Sequence, residues 1–545
     1  MNEQDRIRTV TGYHMRSKHR LEAYAAGPAA LDWDDQPEPF RWFDGTCKIE
    51  LPLLADQIRI GYADLYRTDL PPSALPLFER LSILLERSMG LAAWKSYGDQ
   101  SWALRCNPSS GNLHPTEAYI ITTGMEGLSA GVYHYLSRDH QLERRCEPGI
   151  GPASSMLPSD HVLVGLSSIH WREAWKYGER AFRYCQHDAG HAIAAISYAA
   201  AALGWTARLV TGWSDETIIH MLGLDRDDDF GNAEREHPDA VLWMHPSKAN
   251  IDSEPEAEPV LAAIDAGIWH GRANVLSPRH DYEWPVIDAV SRAAIKPARM
   301  TLPSWIPPAR PEPLPSACTT PAMSLFRQRR SAQHFDGRSA ITAEQLFRML
   351  DITLPRIGMA PWSSLPWRPR IHLVLFIHRV HGLRSGLYLF MRDENAATLL
   401  RESISRSEFH WQKAAACPSH LALYSLLFAD CRKTAALLSC HQPIAGDSAF
   451  SLGMLAQFDA TLQEGAWAYR ALFWEAGMLG HTLYLEAEAA GVRATGIGCY
   501  FDDSFHQILG LQDTRLQSLY HFTVGAPLED RRLNTLAPYS PRRHD

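Results

Sequence analysis

The feature that most constrains the fold of this chain is an internal duplication. Residues 178–224 align with residues 465–511 at a constant offset of 287 without a gap, and 13 of these 47 positions are identical. This spacing far exceeds the roughly 20–50 residues of a solenoid repeat, so it predicts a duplicated domain. The first-copy residues that recur in the second copy are Gly178, Ala181, Arg183, Ala189, Gly190, Ala200, Ala202, Gly204, Ala207, Asp215, Leu222, Gly223 and Leu224.

Length and composition agree with a soluble protein of two domains. The 545 residues exceed what one hydrophobic core usually supports, and an apolar content of 46% is ordinary for a globular protein. A net charge of −9 argues against nucleic acid as a partner. Neither a secretory signal nor an apolar run long enough for a membrane span is visible, so we expect a cytoplasmic protein without a membrane partner.

Neither the cysteines nor the histidines predict a disulfide framework or a metal site. The nine cysteines include no CxxC pair, and their odd number favours reduced thiols. Because no other cysteine lies near Cys499 in sequence, we interpret Cys499 as a packing residue and not as a redox group. His187 and His191 stand four residues apart on a predicted helix, but no third ligand is evident, so we predict no metal.

A proline-rich segment divides the chain. Eight prolines fall between positions 297 and 321, which is typical of a stiff, extended spacer. We therefore predict a first domain over residues 1–296, a linker over 297–321 and a second domain over 322–545.

Both halves have the same predicted order of elements. A short helix precedes an apolar strand, a glycine turn leads to a second strand, and a long apolar helix carries the repeat. The intermixed strands and helices indicate an α+β fold with an antiparallel or mixed sheet and a long buried helix. The predicted ranges are 77–84 and 345–351 for the short helices, 118–122 and 373–377 for the apolar strands, 127–135 and 382–390 for the turns with their second strands, and 181–203 and 468–490 for the long helices.

Three motifs could hold a ligand. Residues 107–115, NPSSGNLHP, combine hydroxyl and amide groups with a flexible backbone, although the same residues also make ordinary turns. Residues 329–336, RRSAQHFD, combine basic and hydroxyl groups that suit a phosphate, although short basic stretches are often solvated surface. Residues 495–503, TGIGCYFDD, follow EAG at 475–477 and place two glycines where backbone can approach a flat ligand, but they lack the third glycine of a dinucleotide fingerprint.

Taken together and in this order, the motifs resemble the nitroreductase family of FMN flavoenzymes in both halves of the chain. The resemblance is strongest to double-domain members allied to the SagB/ThcOx-type azoline dehydrogenases. Members of the family usually form homodimers with two FMN sites at the subunit interface. The resemblance therefore implies an intramolecular pseudo-dimer of two tandem nitroreductase-like domains. The segments that carry it are residues 107–119, 176–191, 329–336, 475–503 and 520–527.

The resemblance also implies which residues bind FMN. In the family, an Arg-x-Ser segment and a late basic residue hold the phosphate, a glycine loop lies against the flavin ring, and a serine loop comes from the other subunit. The late basic residue corresponds to the pair Arg531 and Arg532, and Gln333 stands where the family often has Lys or Arg. The implied cofactor-binding residues are Pro108, Ser109, Ser110 and Asn112 in the first half and Arg329, Ser331, Gln333, Gly496, Ile497, Gly498, Arg531 and Arg532 in the second.

The two halves keep complementary parts of this site. The second-half counterpart of the serine loop, residues 361–367 (PWSSLPW), lacks both Gly and Asn. The first-half counterpart of the glycine loop, residues 209–211 (LVT), has no glycine, and its candidate phosphate segment at 16–18 (RSK) is short. We therefore expect one FMN per chain, held by the serine loop of the first domain and by the phosphate segment and glycine loop of the second.

Lys176 and Tyr177 are the catalytic candidates. They resemble a Lys-Tyr pair of azoline dehydrogenases that is thought to assist proton removal while hydride passes to flavin N5. An alternative is an exposed lysine beside a packing tyrosine. The corresponding positions of the second half are Gln463 and Glu464, so the fold does not require the pair.

The expected activity is that of an FMN-dependent oxidoreductase, with hydride transfer through flavin N5. The substrate could be an azoline ring in a modified peptide, which the enzyme would oxidise. The alternative is an NAD(P)H-dependent reductase of nitro compounds or quinones, with NAD(P)H as reductant and a small molecule as substrate. A third alternative, from a different class, is a degenerate flavin-binding scaffold within a biosynthetic complex.

Overall fold

The computed structural model of the protein describes residues 1–67, 73–149, 156–246, 254–297 and 305–539. It has an α+β architecture in which two similar halves follow one another along the chain. The helices of the first half are α1 (Glu3–Arg16), α2 (Leu77–Ser88), α3 (His170–Tyr177), α4 (Ala181–Ala202), α5 (Asp215–Leu222), α6 (Asp227–Phe230), α7 (Glu258–Asp265) and α8 (Pro285–Ala293). Its strands are β1 (Phe43–Asp44), β2 (Lys48–Glu50), β3 (Leu91–Tyr97), β4 (Gln100–Arg105), β5 (Thr116–Thr122), β6 (Gly131–Leu136), β7 (Gln141–Glu147), β8 (Val162–Ser168), β9 (Trp205–Leu209), β10 (His237–Pro246), β11 (Ile268–Trp269) and β12 (Arg272–Ala273).

The second half repeats much of this order. Its helices are α9 (Ala322–Gln328), α10 (Ala343–Ile352), α11 (Ala397–Ser403), α12 (Arg432–Leu438), α13 (Pro443–Asp447), α14 (Phe458–Leu462), α15 (Ala468–Ala489) and α16 (Asp502–Leu509). Its strands are β13 (Ile341–Thr342), β14 (Ile371–Ile377), β15 (Val380–His381), β16 (Gly386–Met391), β17 (Gln412–Lys413), β18 (Ala422–Phe428), β19 (Phe450–Gln457), β20 (Arg493–Ile497), β21 (Leu516–Gly525) and β22 (Asn534–Leu536).

The main sheets of the two halves have the same topology. Six strands of the first sheet run in the order β7-β6-β5-β8-β10-β9, and six of the second run in the order β18-β16-β14-β19-β21-β20. Neighbouring strands along both orders are antiparallel. The duplication seen in the repeat therefore extends through the sheet, and the expected α+β class is confirmed.

The predicted elements lie close to where the sequence placed them. The long helices begin at the predicted residues and end one residue earlier, at Ala202 and Ala489. The predicted ranges of the second strands included the glycine turns before them. The strands themselves begin at Gly131 and Gly386. The domain boundaries stay a prediction, and residues 298–304 of the predicted linker lie outside the described residues.

Side-chain alternation along the strands explains how the two long helices become buried. In β5, Ala118 and Ile120 join a central hydrophobic core, whereas Tyr119 and Ile121 face a separate cluster on the other side of the sheet. The central core takes in the apolar residues of both α4 and α15, and it also takes in Leu375 of the second sheet. The helices therefore lie in a shared layer between the two sheets.

The long helices cross at glycines that occupy equivalent positions in the repeat. A methyl group built on Gly190 would lie 2.8 Å from the Cα of Trp474, and one built on Gly477 would lie 2.9 Å from the Cα of Gly190. Only glycine leaves room for backbone at this distance. The crossing therefore lies on the pseudo-two-fold axis that relates the halves.

Two reciprocal ion pairs join the halves on either side of this crossing. Arg183 of α4 contacts Asp502 of α16 at 2.8 Å, and its counterpart Arg470 of α15 contacts Asp215 of α5. All four side chains are almost completely buried. A pair that recurs with its partners exchanged is the signature of an isologous interface, so the halves meet as a pseudo-dimer does.

Both ends of the described chain reach across to the other half. In α1, His14 contacts the hydroxyl of Tyr469 at 3.2 Å. At the other end, β22 pairs with β3 of the first half. The hydroxyl of Tyr539 there accepts a hydrogen bond from the Leu91 amide at 2.8 Å and donates one to the Ser137 carbonyl at 3.0 Å. These arms add to the contact made by the long helices.

Candidate cofactor-binding site

A cavity of about 440 Å³ lies between the two halves. The first half contributes the serine loop, the hairpin of β3 and β4, Tyr177, and the face of α4 that bears Tyr184 and His191. The second half contributes the phosphate segment, Tyr484 of α15, the glycine loop and the segment after β21. The volume of the cavity falls within the range of about 300–1,000 Å³ that is usual for small-molecule pockets.

Most of the predicted cofactor-binding residues lie in the wall of this cavity. The Lys176 side chain, Arg531 and Arg532 lie outside its lining, and Arg532 is 72% exposed and paired with Asp530 at 2.7 Å. The late basic pair was implied by the resemblance, and its flanking residues Asp530 and Leu533 line the cavity, so its role stays a prediction. The predicted residues that line the cavity are Pro108, Ser109, Ser110, Asn112, Tyr177, Arg329, Ser331, Gln333, Gly496, Ile497 and Gly498.

The serine loop is held in place by its own serines. The Ser110 amide and hydroxyl both donate to the Asp188 carboxylate of α4 at 3.0 Å. The Ser109 hydroxyl accepts a hydrogen bond from the His114 amide at 2.8 Å. The side-chain amide of Asn112, whose φ is +60°, donates to the Ala103 carbonyl at 2.9 Å. The loop is therefore a shaped part of the wall before any ligand binds.

Gly111 fits this loop against the catalytic candidate Tyr177. Its φ of +57° lies in the left-handed region, and a methyl group built on it would lie 3.1 Å from Cζ of the Tyr177 ring and closer still to the hydroxyl. Burial, followed by the neighbouring Glu173, raises the pKa of Tyr177 well above its usual value, so its phenol stays protonated. The Lys176 ammonium lies 5.4 Å from the centre of the Tyr177 ring, and Lys176 is not among the residues that line the cavity.

A second acid lies behind Tyr177. Glu173 is fully buried, and neither of its carboxyl oxygens has a hydrogen-bond partner within the described chain. Burial, and then the charge of Asp188, raises the pKa of Glu173 well above its usual value. The end of α3 therefore presents two acidic groups whose pKa values burial raises, and of the two Tyr177 lines the cavity.

Arg329 connects the phosphate segment of the second half to the first half. Its guanidinium donates to the carbonyls of Cys106 at 3.1 Å and Arg105 at 3.2 Å, and it lies 5.1 Å from the centre of the Tyr484 ring. Burial lowers the pKa of Arg329, and burial followed by the charge of Arg329 lowers the pKa of Arg330 to about 10. Both guanidiniums remain charged near neutral pH and make this wall cationic.

The hydroxyl of Tyr484 joins the phosphate segment to the glycine loop. It lies 2.8 Å from the Ser331 hydroxyl and accepts a hydrogen bond from the Gly496 amide, also at 2.8 Å. In the first half the equivalent position is Ser197, whose hydroxyl contacts that of Ser364 at 2.5 Å. Ser197 therefore bonds to the loop at 361–367, whereas Tyr484 joins the phosphate segment to the glycine loop.

The glycines of the glycine loop have a structural role that the sequence did not reveal. A methyl group on Gly496 would collide with the Tyr520 ring, 2.6 Å from its Cζ, and one on Gly498 would collide with the Tyr184 ring, 3.0 Å from its Cδ1. Arg180 of the first half donates to the Gly498 carbonyl at 3.0 Å and 3.2 Å. Packing against the tyrosine rings is therefore enough to require glycine at both positions. Close approach of a flat ligand to these glycines stays a prediction.

At the pseudo-symmetric position, the second-half counterpart of the serine loop is filled with aromatic side chains. Trp362 and Trp367 are buried, and the Trp362 indole donates to the Ile352 carbonyl at 2.7 Å. With Ser364 bonded to Ser197, this segment packs onto the first half beside β9. These residues occupy space that the small residues of the serine loop leave open on the other side.

Some cavity groups are absent from the predicted cofactor-binding residues, although Asn107 and His114 lie within the motif at 107–115. Asn107, His114 and His191 line the cavity, and each has a buried polar atom without a hydrogen-bond partner in the described chain. Nδ1 of His191 lies 3.4 Å from the Asp188 carboxylate. Orphaned buried polar atoms are rare in folded proteins unless a water or ligand meets them. Tyr184, Tyr484 and Tyr520 were missed because, in sequence, they look like ordinary core aromatics on a buried helix or strand.

Two findings concern metal ions and membranes in the part of the chain that the structure describes. Within it, no group of three or more His, Cys, Asp or Glu side chains is arranged to hold a metal ion. His187 instead stacks on Tyr520, with ring centres 4.2 Å apart. Among the described helices, none is long and apolar enough to cross a membrane.

Curated proteins similar to this chain match parts of it. One is a predicted nitroreductase of Methanocaldococcus jannaschii, 25% identical over 124 residues, which are 22% of this chain and 63% of the relative. Another is the trifolitoxin-processing protein TfxB of Rhizobium leguminosarum bv. trifolii, 37% identical over 130 residues, which are 22% of this chain and 35% of the relative. The chain thus spans less than two thirds of the length of either relative.

The fold also matches a solved structure over nearly its whole length. The crystal structure of a predicted nitroreductase from Anabaena variabilis superposes with a TM-score of 0.65 at 22% identity, covering 95% of this chain and 99% of that one. The model of the nitroreductase family matches residues 99–231 and 326–526, one segment in each half. These matches cover more than half of the chain and contain the loops that line the cavity, so the protein belongs to the nitroreductase family.

Proposed function

We propose that this protein is an FMN-dependent oxidoreductase that binds one FMN per chain in the cavity between its halves. The observation that carries the proposal is the composite wall, in which the serine loop of one half faces the phosphate segment and glycine loop of the other. The resemblance to the family assigns those three segments to one cofactor site, which in other members is built by two subunits.

The donors around the cavity suit the cofactor. Lys95, Arg329, Arg330 and Arg493 line it, and guanidinium and ammonium groups are the usual partners of a phosphate. Polar atoms of Asn107, His114 and His191 without a hydrogen-bond partner could meet the ribityl chain or the polar edge of a flavin ring. We assign the phosphate to Arg329, Ser331 and Gln333, and the ring to the side of Gly496, Ile497 and Gly498.

The chain's own contribution to the chemistry is binding, orientation and proton control. Bound FMN would supply the hydride acceptor or donor at N5. Tyr177, neutral and half-buried at the cavity, is placed to donate or accept a proton of the substrate. Asp188 fixes the serine loop beside it, and the closely packed tyrosines exclude water from this end of the cavity.

For the substrate, we propose a modified peptide whose azoline ring is oxidised, with oxygen or another acceptor receiving the electrons. The similarity to the trifolitoxin-processing protein supports a peptide as substrate, since that relative is named for the processing of a peptide toxin. The Lys-Tyr resemblance supports oxidation, and in the structure Tyr177 of that pair reaches the cavity.

FMN titration of the purified chain tests cofactor binding. We expect one FMN per chain. Ser110→Val and Arg329→Ala should each weaken retention, although the residues lie in different halves. Ser385→Val, which removes a hydroxyl bonded to the His378 carbonyl in the second sheet, and Arg406→Ala, at an exposed side chain, serve as matched controls.

Each other result of the titration contradicts a named part of the proposal. Two FMN per chain would mean that the position around Trp362 also binds. A colourless protein that refuses FMN would favour the scaffold alternative. An effect confined to the variants of one half would end the composite-site model.

The direction of electron flow is tested separately on the FMN-loaded protein. We expect an azoline-containing peptide to bleach the flavin absorbance without oxygen and oxygen to restore it. Rapid bleaching by NADPH, with no response to the peptide, would instead indicate the nitro or quinone reductase.

A further inference from the structure

Two cysteines that are distant in sequence meet at the edge of the cavity. Cys499 follows the glycine loop and lines the cavity, and Cys440 lies between α12 and α13. Each thiol lies close enough to the other to shift its pKa. The interpretation of Cys499 as a packing residue depended on the lack of a nearby cysteine in sequence, and the fold brings one to it.

Two independent hydrogen bonds hold the segments of these cysteines together. The Phe501 amide donates to the Leu438 carbonyl at 2.8 Å, and the side-chain amide of Gln442 donates to the Cys499 carbonyl at 3.2 Å. On one segment the contacting residues Leu438 and Gln442 lie on either side of Cys440, and on the other segment they are Cys499 itself and Phe501. The proximity of the thiols is therefore a property of the backbone arrangement.

The backbone at Cys440 is unusual for a packing residue. Cys440 has a φ of +52° and the next residue, His441, a φ of +59°. Two consecutive residues with side chains in the left-handed region are unfavourable, and such residues concentrate at functional sites. The contacts of Leu438 and Gln442 on either side hold this conformation where the two segments meet.

His19 of the first half completes the cluster, and its hydrogen bonds define its tautomer. The Ala25 amide donates to Nδ1 of His19 at 2.9 Å, so Nδ1 is an acceptor. Burial lowers the pKa of His19, so the ring is neutral near pH 7 and carries its proton on Nε2. His19 also lies close enough to Cys499 to lower the pKa of that thiol.

The thiol of Cys499 has three groups around it that affect its charge. Cys440 and His19 lie beside it, and the Arg180 guanidinium adds positive charge. The neighbouring Cys440 thiol, opposed by burial and supported by His19, lowers the pKa of Cys499 to about 5, whereas the pKa of Cys440 is raised by Cys499 and by burial. One thiolate beside one thiol is the arrangement of an attacking and a resolving cysteine.

We propose that Cys499 and Cys440 form a dithiol site that reduces hydroperoxides and closes to a reversible disulfide. The Cys499 thiolate attacks one oxygen of hydrogen peroxide, the O–O bond breaks, and the hydroxide released takes a proton to become water. The sulfenic acid on Cys499 is then attacked by the Cys440 sulfur, which releases a second water and leaves a disulfide. Peroxide is reduced by two electrons that come from the two thiols, and an external thiol restores them.

This activity is separate from the proposed flavin chemistry, because the step needs only peroxide and the two cysteines. The sites are nevertheless neighbours, since Cys499 is a wall residue of the same cavity. An oxygen-dependent dehydrogenase would form peroxide at that place. The dithiol would then be the first reactive group that the peroxide meets.

The test treats the whole chain with one equivalent of hydrogen peroxide, then counts free thiols and maps disulfides by mass spectrometry. We expect seven of the nine thiols to remain and the disulfide to join Cys440 to Cys499. Cys440→Ser should stop at a sulfenic acid on Cys499 that dimedone traps, and Cys499→Ser should form neither product. Cys47→Ser, at an exposed cysteine, is the matched control and should behave as the unaltered protein.

A second readout distinguishes a reactive thiolate from a cysteine that merely packs. At pH 6, alkylation of Cys499 by iodoacetamide should be about tenfold or more faster than that of Cys47, since an ordinary thiol with a pKa of about 8.5 is almost fully protonated there. Nine free thiols after peroxide, a disulfide mapped elsewhere, or alkylation of Cys499 no faster than that of Cys47 would each overturn the proposal. Alkylation rates also remain measurable in variants that lose FMN.

Discussion

Gly190 and Gly477 occupy the same position in the two copies and meet where the long helices cross. The Cα of Gly190 lies 2.9 Å from where a methyl group on Gly477 would stand. A residue on a pseudo-two-fold axis packs against its own counterpart, so both copies experience the same steric limit. This explains why these glycines stayed identical while most of the repeat diverged.

Replacing either glycine with alanine should destabilise the protein. The added methyl group would press on backbone atoms of the opposing helix, which cannot move aside as a side chain can. We expect Gly190→Ala and Gly477→Ala each to lower the free energy of unfolding by at least about 1–3 kcal/mol, the usual cost of overpacking. Urea denaturation followed by circular dichroism measures the change.

Gly12→Ala is the matched control for these substitutions. Gly12 lies within α1, and a methyl group built on it would meet nothing within 4 Å. Alanine is the better helix former by about 1 kcal/mol, so this variant should be as stable as the unaltered protein or more stable. Equal stability of all three variants would contradict the crossing described above.

Asp502 should make stability depend on pH in the acid range. Burial alone would raise its pKa, but the charges of Arg180 and Arg183 hold the pKa of Asp502 far below its usual range. In the unfolded chain the group titrates near its ordinary pKa of about 3.9. The stabilisation is therefore complete above about pH 5 and is lost progressively as the pH falls below about 4.

Asp502→Asn isolates this contribution. Near neutral pH it should cost about 3–5 kcal/mol, because it leaves buried guanidiniums without their counter-charge. The difference from the unaltered protein should narrow between about pH 5 and pH 3, in urea titrations at each pH. Asp281→Asn, at an exposed side chain, should show no such trend. A difference that stays constant with pH would refute the assignment.

Tyr484→Phe should loosen the link between the phosphate segment and the glycine loop. The change leaves the Gly496 amide without its acceptor and removes the partner of Ser331. An unsatisfied buried group costs about 1–3 kcal/mol, so we expect FMN affinity to fall about tenfold. Tyr388→Phe, which removes a hydroxyl bonded to the Arg384 carbonyl in the second sheet, should leave affinity unchanged. Fluorescence titration with FMN compares the two variants with the unaltered protein. An FMN affinity of Tyr484→Phe equal to that of the unaltered protein would argue against the junction.

Tyr177 and Lys176 should differ in their effect on turnover. Tyr177 lines the cavity, whereas the Lys176 side chain lies outside its lining. With the proposed peptide oxidation as the assay, Tyr177→Phe should reduce turnover by about 10²–10⁴ while FMN content stays the same, and Lys176→Met should have a much smaller effect. Tyr13→Phe, which removes a buried hydroxyl bonded to the Glu179 carbonyl, is the control. A larger loss for Lys176→Met would restore the lysine as the catalytic group.

Much of the fold follows from local pattern. The long helices were predictable to within a residue because their apolar runs are bounded by glycines and exceed the length of any strand. The serine loop, phosphate segment and glycine loop could be picked out because together and in this order they resemble the motifs of one family, and the structure places all three around one cavity. The tyrosines of the cavity were not predictable, since burial among apolar neighbours looks the same in sequence whether or not a cavity lies beside them.

The sequence by itself determined that the chain is duplicated, which family it resembles, and which motif each copy has kept. Those properties depend only on the order of residues along the chain and on the constant offset between the two copies. Only the tertiary structure decided which groups from the two halves touch, such as Arg329 with Cys106, Arg183 with Asp502, and Cys440 with Cys499. The physical reason is that contacts between distant residues depend on how helices and sheets pack, and packing depends on the shape of the whole molecule.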